Sequence, residues 1–459
     1  MAKKLLFTVL SLLLAALLLF SCGCSSIPQL DESDMSLDDL FSSVQADLFG
    51  EHDQVCSTVT VSLPRHSGYH PIEDKTAYET LSTDMQREAY AAIEDSVFNI
   101  TNEPGGSLGR YALKRAYIPA LTSAELFMVK EAVVADHPEV FWINATYSLG
   151  QNMHDGKYLV LYTNFDYTAI TERVKALEQA VASLLKEIPG DLDEYNRELI
   201  IHDCLVRDTA YAEEAADLTD YSYLDAATVY GALVNKRALC GGYSYALKLM
   251  LNRVGISSSI VKGIGKDVGH MWNLVRIDDN WYHIDVTWDD PITLTADTLS
   301  RYDYFNVTDE IIAADHLTSE NYSALTDELI SKQGGKGMNF FNFDLPECTS
   351  LDANYYMLNA LDIGLLDDRG ATLITDRMKG CCSNGESTFF VYFSSLPPTD
   401  QASDWLDSTL VSAMSSTNRS GIGRRISQCL RSKRSNDSSA WSSVYCIRIV
   451  YEEESDNEG

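Results

Sequence analysis

Positive charge is scarce in this chain of 459 residues. Lys and Arg number 35 against 67 Asp and Glu, which gives a formal net charge of −32 at pH 7. A surface this acidic repels nucleic-acid phosphates and anionic lipid head groups, so we predict no nucleic-acid partner. The one basic cluster lies at residues 419–434. Docking of an anionic polymer is one interpretation of it, and a solvated loop that neutralises acidic neighbours is the one we favour.

Metal-binding motifs are missing as well. None of the ten cysteines stands in a C-x-x-C pair, and no D-x-D-x-D-G loop occurs. A zinc site of that type and a calcium loop are therefore disfavoured, and we predict no cofactor and no metal. Outside the cell, cysteines can pair as disulfides. The best candidates for pairing are the four C-terminal cysteines, whose connectivity does not follow from sequence: Cys381, Cys382, Cys429 and Cys446.

Long apolar runs are absent except at the amino end. Two lysines precede the apolar residues 5–20, and Ser21 and Cys22 follow. This run is short for a bilayer span, and the pattern is typical of a signal peptide over residues 1–21. Because Leu19-Phe20-Ser21-Cys22 resembles a bacterial lipobox, we expect Cys22 to be lipidated and to anchor the chain on the extracytoplasmic face of the cell membrane. Plain cleavage and secretion is the alternative.

Composition and periodicity divide the rest of the chain. Apolar residues at helical spacing over 78–100, a capping box at Thr122 and Glu125, and an apolar run at 140–142 predict two helices and a strand near the amino end. The predicted segments are a flexible acidic tether (22–55), an N-terminal α+β module (56–165), a central domain (166–332), a C-terminal α/β module (338–451) and a disordered tail (452–459).

Cys240 lies at the start of a predicted helix. Apolar residues at helical spacing over 243–254, closed by Gly255, indicate that helix. At a helix N-terminus the unpaired amides and the macrodipole favour a thiolate, which lowers the pKa of the thiol. We expect the bare backbone of Gly241 and Gly242 to let a substrate approach closely. Cys240 is therefore a candidate nucleophile, and its own amide is a candidate oxyanion donor.

A hairpin follows, with a two-residue Asp-Asp turn at 278–279. Pairing Ile277 with Asn280 sets the register. Since side chains alternate along a strand, His270 and Asp285 then share one face as diagonal neighbours, close enough for the carboxylate to reach the imidazole. The opposite face is apolar, and a slip by one residue would bury the charged pair.

Cysteine, histidine and aspartate are the three parts of an acyl-transfer site. The thiolate attacks a carbonyl, the imidazole exchanges the proton, and the carboxylate orients the imidazole. Taken singly, each of Cys240, His270 and Asp285 has a structural explanation, and their arrangement together favours a catalytic triad. We expect His283 to give structural support and His202, on a helix within 191–212, to pack rather than to catalyse.

The motifs around these residues resemble those of the transglutaminase-like superfamily. The resemblance covers about residues 195–320, although Gly241 stands where the family often has an acidic residue. It implies an α+β fold: a papain-like transglutaminase core, in which the cysteine-bearing helix packs on an antiparallel sheet, flanked by smaller α+β modules. The matching segments are Ala238-Leu239-Cys240-Gly241-Gly242-Tyr243, Gly269-His270-Met271-Trp272-Asn273, Trp281-Tyr282-His283-Ile284-Asp285-Val286-Thr287-Trp288, Tyr304-Phe305-Asn306-Val307 and Asp315-His316.

Family members include protein cross-linkers, peptidases, amidases and relatives thought to have lost activity. The resemblance therefore implies a membrane-anchored cysteine enzyme that hydrolyses or transfers acyl groups of peptide or amide bonds through a Cys240 thioester. Its partner would be a peptide or protein substrate, for example a cell-wall peptide. The alternative is a non-catalytic surface adhesion or scaffold protein with a relic cleft. The sequence leaves the oligomeric state open.

Overall fold

The computed structural model describes ten stretches of the chain, and the fold is stated for these alone. The predicted signal peptide, Cys22, the acidic tether and the tail after Glu452 lie outside the described residues. Within the described stretches, no helix combines the length and the apolar character needed to cross a membrane. The stretches are 60–62, 74–105, 110–152, 156–213, 225–266, 268–290, 302–318, 344–395, 399–433 and 444–452.

The first part of the chain is an antiparallel sheet with helices packed against it. The strand order is β1-β2-β3-β6-β4, and β5 also pairs with β6. The elements are β1 (Thr60–Ser62), α1 (Thr76–Glu79), α2 (Asp84–Val97), β2 (Asn99–Pro104), β3 (Tyr111–Leu113), β4 (Ala116–Tyr117), α3 (Ser123–Asp136), β5 (Ile143–Asn152) and β6 (Gly156–Thr163).

Two capping boxes define the helices of this part. The Thr122 side chain accepts from the Glu125 amide and the Glu125 carboxylate accepts from the Thr122 amide, which confirms the predicted start of α3. An equivalent box joins Thr83 and Gln86. Because this second box starts a new helix, the single helix predicted over 78–100 is wrong. The chain forms α1 and then α2, with a break between them.

The strand predicted at 140–142 is also wrong. These residues are buried but make no strand pairing, and β5 begins only at Ile143. The backbone amides of Val140 and Phe141 donate instead to the His137 and Glu139 carbonyl oxygens in a local turn, and Trp142 Nε1 donates to the Val97 carbonyl oxygen at the end of α2, at 2.9 Å. The apolar residues at 140–142 are therefore buried against a helix and are not part of the sheet.

The central domain places one helix across a four-stranded antiparallel sheet. The sheet order is β11-β10-β9-β12, and α6 packs on its β9 and β10 strands. The elements are α4 (Tyr167–Leu185), α5 (Glu194–Asp208), β7 (Ala210–Tyr211), a π-helical turn (Gly231–Asn235), β8 (Arg237–Ala238), α6 (Cys240–Arg253), β9 (Ser258–Gly265), β10 (Val268–Ile277), β11 (Asn280–Ile284), α7 (Val286–Asp289), α8 (Asp309–Ile312) and β12 (His316–Thr318).

One hydrophobic core runs through the first part and the central domain. Leu247 of α6 and Val133 of α3 belong to the same buried cluster. Lys248, fully buried on α6, donates to the Ser258 carbonyl oxygen and to Thr76 Oγ1 of α1. The first part of the chain therefore helps to fix the helix that carries Cys240.

The C-terminal part is a mixed four-stranded sheet, with the order β13-β14-β16-β15, and two long helices. Only β13 and β14 pair in parallel among its described strands. With this part, the predicted α+β class is confirmed. The elements are α9 (Tyr355–Asn359), β13 (Leu361–Asp362), α10 (Asp368–Asn384), β14 (Thr388–Tyr392), α11 (Thr399–Ser420), β15 (Ile426–Lys433) and β16 (Val444–Tyr451).

Two expectations about this part fail. Much of the basic cluster, expected to be a loop, forms strand β15, where a bidentate pair between Arg431 and Asp407 supports the predicted neutralisation of acidic neighbours. The four C-terminal cysteines were expected to pair, but none of the described cysteines forms a disulfide. Cys381 and Cys382 are buried in the apolar core of this sheet, where they pack like small hydrophobic side chains.

Candidate active site

Cys240 is the first residue of α6, as the sequence predicts. Leu239 precedes it in extended conformation, and the helix ends before Gly255, whose φ of +79° is the left-handed value typical of a glycine after a helix. The thiol is 1% exposed. Its position therefore combines the helix N-terminal field with exclusion of water.

The two glycines after Cys240 serve a different purpose from the expected one. A Cβ on Gly242 would lie 2.4 Å from the Ala226 carbonyl oxygen, and one on Gly241 would lie 3.0 Å from the Ala227 carbonyl oxygen. The space that we expected a substrate to use is thus filled by the chain itself. The glycines let the segment before the π-helical turn pack directly on the first turn of α6.

The hairpin has the predicted register, with Ile277 opposite Asn280. Asp278 and Asp279 take φ values of +47° and +70°, the left-handed conformation of both central residues in a type I′ turn. Pairing ends at Ile284, and Asp285 then caps α7. The expected apolar face is also confirmed, because it forms part of the core beneath α6.

His270 and Asp285 are brought together. His270 Nε2 lies 2.6 Å from Asp285 Oδ2, and both residues are buried, at 6% and 1% exposure. The other oxygen, Oδ1, accepts from the amides of Thr287 and Trp288 at 2.9 and 3.2 Å. The carboxylate is therefore held from both sides: two amides fix one oxygen, and the other faces His270.

Helix α6 is tied to the strand that carries His270. Ser244 Oγ donates to the Met271 carbonyl oxygen at 3.0 Å, and Asn273 Nδ2 donates to the Ser244 carbonyl oxygen at 3.1 Å. Ser244 lies one helical turn after Cys240, on the same side of α6. This places the amino end of α6 towards the part of β10 that contains His270.

His316 is the residue that sequence reasoning missed. Its Nε2 lies 3.0 Å from Asp285 Oδ2, the oxygen that also faces His270, and its Nδ1 lies 2.7 Å from Asp315 Oδ1. Tyr304 donates its hydroxyl to Asp315 at 2.6 Å. The Asp315-His316 pair was part of the family resemblance, but its long separation from the hairpin gave no sign that β12 would return beside Asp285.

The charges of the two histidines dominate the electrostatics of Asp285. Burial favours the neutral acid, but the charges and hydrogen bonds of His270 and His316 hold the pKa of Asp285 well below its usual value. For His316, burial disfavours the cation, yet the contacts with Asp285 and Asp315 raise its pKa. Asp285 is thus an anion between imidazole rings.

The other two histidines near the site have supporting contacts. His202 is buried between Asp203 Oδ1 and Asp289 Oδ2, each at 3.1 Å. Burial opposes its charge, but the hydrogen bonds of both carboxylates raise the pKa of His202 to about 9. His202 therefore holds α7, the helix that Asp285 caps, rather than facing His270. The expected packing role is consistent with these contacts.

His283 also supports the site from the side of the sheet. Its Nδ1 accepts from Trp272 Nε1 at 3.0 Å, and its Nε2 lies 2.8 Å from Asp309 Oδ1. The ring of Trp272 is stacked near His270, with centroids 5.9 Å apart and planes 19° apart. His283 thus orients the tryptophan that packs beside His270, in agreement with the expected structural role.

Aromatic rings close the other side of the pair. Trp288 lies 5.3 Å from His270 and 4.2 Å from His316 between ring centroids. Lys266 Nζ lies 5.2 Å from the Trp288 ring. A Cβ on Gly265 would lie 2.6 Å from Trp288, so a glycine is needed where this ring covers β9.

Two groups of side chains have atoms close enough to share a metal ion. In the first, the ligand atoms of His270, Asp285 and His316 lie within 4.8 Å of one another, but the histidine nitrogens face a shared carboxylate oxygen and serve as proton donors to it. In the second, His283 accepts a hydrogen bond at Nδ1 and so donates from Nε2 to Asp309. In the first group the nitrogens that face Asp285 carry protons, and in the second the Nδ1 lone pair of His283 accepts a hydrogen bond. We therefore assign no metal to either group.

A family comparison covers the same region. A model of the transglutaminase-like superfamily matches residues 168–286, which include Cys240, His270 and Asp285. The chain contains a transglutaminase-like domain. The predicted core of this domain, a cysteine-bearing helix packed on an antiparallel sheet, is confirmed, and at family level the domain is of the cysteine-enzyme type. His316 lies beyond the matched residues. No curated protein matches the chain.

Solved structures resemble this chain weakly. A TGase is 15% identical, with a TM-score of 0.25, over 51% of this chain and 71% of its own. A candidate cysteine protease from Cytophaga hutchinsonii is 11% identical (TM-score 0.21), over 31% and 61%. A candidate protease from Parabacteroides distasonis is 13% identical (TM-score 0.20), over 29% of each. The chain spans less than two thirds of the latter two, and TM-scores this low support no argument about activity.

Proposed function

We propose that this chain is a cysteine enzyme that hydrolyses or transfers acyl groups of peptide or amide bonds through a thioester on Cys240. The observation that carries the proposal is the 2.6 Å contact between His270 Nε2 and Asp285 Oδ2. His270 lies on β10, the strand to which the cysteine-bearing helix α6 is hydrogen-bonded. Since Nε2 is directed at the carboxylate, Nδ1 is the nitrogen left to exchange a proton with the thiol.

The chemistry follows from these roles. His270 takes the thiol proton, and the Cys240 thiolate attacks the substrate carbonyl carbon to form a tetrahedral intermediate. The intermediate collapses to a thioester when His270 returns the proton to the leaving amine. Water then resolves the thioester in hydrolysis, and a second amine resolves it in transamidation. The amide of Cys240 is our candidate donor to the oxyanion.

Two upstream side chains are poor candidates for a second oxyanion donor. Asn235 is exposed and donates to Asp225 Oδ2 at 3.3 Å. The Tyr230 ring packs against the guanidinium of Arg173, 3.7 Å from its centroid. Both side chains are thus held by contacts other than with a substrate oxygen.

We also propose that the enzyme works outside the cytoplasm, anchored by a lipid on Cys22, and that its substrate is a peptide or protein such as a cell-wall peptide. The basic, apolar and small residues at the amino end support this location. Metabolic labelling with a radioactive fatty acid tests it. Label should enter the wild-type chain and be lost in Cys22→Ser, and an unlabelled wild type would contradict lipidation.

Alkylation by iodoacetamide tests the activated nucleophile. We expect Cys240 to react much faster at neutral pH than a free thiol, and to become slower in His270→Ala. Cys204→Ala is the matched control. Burial comes first among the causes that raise the pKa of Cys204 to about 11, so its removal should leave the fast phase unchanged. A wild-type chain without a fast phase would refute the proposed nucleophile.

Assays of catalytic turnover distinguish an enzyme from a non-catalytic scaffold protein. Casein with a labelled amine, and cell-wall peptides alone, report transamidation and hydrolysis. We expect Cys240→Ala to abolish both signals and Asp285→Asn to lower the rate by about 10³- to 10⁴-fold, because the asparagine can still cap α7 but no longer fixes the histidine tautomer. Identical behaviour of wild type and Cys240→Ala in every assay would favour the scaffold.

A further inference from the structure

His316 touches the candidate active site without a part in the chemistry proposed above. It shares Asp285 Oδ2 with His270, and its other ring nitrogen faces Asp315. A carboxylate only accepts hydrogen bonds, so two nitrogens that each face a carboxylate are both donors. Tyr304 donates to the second Asp315 oxygen, which is the pattern of an ionised acid. This geometry indicates a doubly protonated, cationic His316 ring.

The surroundings of His316 leave few other charges to consider. From β10 and β11 it faces His270 and His283, and from its own segment Asp315. Tyr304 packs on it with ring centroids 5.2 Å apart. Beyond the Trp288 ring lies the ammonium group of Lys266.

The two carboxylates favour the charged form of the buried His316 ring, and together they outweigh the cost of burying that charge. Burial disfavours the charged ring, but the hydrogen bonds that it donates to Asp285 and Asp315 raise the pKa of His316. For His283, which is neutral by its hydrogen bonds, burial is the main cause of a lowered pKa, and the charge of His316 adds to it. The two buried histidines on this side of Trp272 thus differ in charge.

We infer that His316 is a positioning residue for His270: a buried cation that donates to Asp285 Oδ2, the oxygen that His270 also faces, and partly neutralises this carboxylate. The inference deepens the proposed function and rests on it for the role of His270 as base. His316 acts on His270 through the carboxylate that they share.

The size of the effect follows from the geometry. The ring centroids of His270 and His316 lie 5.4 Å apart. At an effective dielectric constant near 20, a unit charge at about this distance changes a protonation equilibrium roughly 100-fold, which corresponds to about two pH units. Replacing His316 by a neutral side chain should therefore move the pH profile of Cys240 alkylation upward by up to about two units, because groups near the removed cation keep their protons to higher pH.

Nuclear magnetic resonance of the full chain labelled with ¹⁵N-histidine tests the inference. In the wild type at pH 7, both ring nitrogens of His316 should show shifts of protonated nitrogen. His316→Gln keeps a donor towards Asp285 and removes the charge, and the pH profile of Cys240 alkylation should then move upward by up to about two units. His283→Gln is the matched control, because glutamine can replace both of its hydrogen bonds without a change in charge, and its alkylation profile should match that of the wild type.

The outcomes are distinct. A neutral His316 ring in the wild type overturns the inference even where His316→Gln fails to fold. So does an unchanged pH profile of Cys240 alkylation in folded His316→Gln, or an equal upward shift in His283→Gln. Failure of the proposed function looks different: Cys240 of the wild type alkylates like an ordinary thiol even where the His316 ring is doubly protonated.

Discussion

A buried glutamate on α5 offers a quantitative test of the structure. Glu198 of α5 is fully buried, and its Oε2 accepts from Asn306 Nδ2 at 2.8 Å. Among the described residues, neither Glu198 Oε1 nor Asn306 Oδ1 has a hydrogen-bond partner. Burial raises the pKa of the Glu198 carboxyl to about 8, against the opposing effects of Asn306 and of the charge of His202.

The sign of the stability change follows from that shift. Because the pKa in the folded chain exceeds the ordinary value of 4.5, the folded state keeps the full contribution of Glu198 below pH 4.5 and loses it as the pH rises to about 8. At pH 7 the loss is about 3 kcal/mol, at 1.36 kcal/mol for each pKa unit. We therefore expect Glu198→Gln to stabilise the chain by about 3 kcal/mol at pH 7, and by nothing from this source below pH 4.5.

Urea denaturation at several pH values measures this difference. The gain of Glu198→Gln over the wild type should grow by about 1.4 kcal/mol per pH unit between pH 5 and 8 and then level off. Effects of the large net charge cancel in the comparison because they act on both proteins. Glu172→Gln, the same substitution at an exposed position on α4, controls for the loss of one surface charge. A gain that stays constant with pH would refute the buried, protonated state of Glu198.

Other predictions concern local structure. Thr122→Ala removes the cap that accepts from the Glu125 amide and should cost about 1 kcal/mol, measured as a shift of the urea midpoint, whereas Thr122→Ser should retain most of that stability. Gly242→Ala places a Cβ 2.4 Å from the Ala226 carbonyl oxygen and should abolish fast alkylation of Cys240, with near-ultraviolet circular dichroism reporting whether the fold persists. Gly255→Ala has open space but a positive φ, so we expect only about 1 kcal/mol of destabilisation and normal alkylation; equal losses in the two glycine variants would contradict these assignments.

The hairpin and the cysteine-bearing helix could be predicted because local patterns determine them. The Asp-Asp turn between β10 and β11 sets the register, and this register places His270 beside Asp285. The expectation that only a slip by one residue would bury the charged pair is wrong, because both faces of β10 and the pair itself are buried. Helical spacing up to Gly255 located α6 and its amino end at Cys240.

Contacts between distant segments could not be predicted in the same way. His316 reaches Asp285 only because β12 pairs with β9, and a strand of three residues has no periodicity to reveal that partner. The apolar residues at 140–142 looked like a strand because burial against a helix and burial in a sheet select the same side chains. The glycines after Cys240 suggested an open backbone, and only the fold shows that Ala226 fills the space.

The C-terminal sheet also belongs to the environment of the candidate site. Trp272, whose ring is stacked near His270, lies in a buried cluster with Phe390 and Val444 of β14 and β16. Its indole nitrogen donates to His283, so a hydrogen bond orients the ring inside this cluster. Residues from all three parts of the chain therefore pack around the helix and the hairpin of the site. This explains why the motif alone locates the chemistry but does not describe the conditions under which His270 would act.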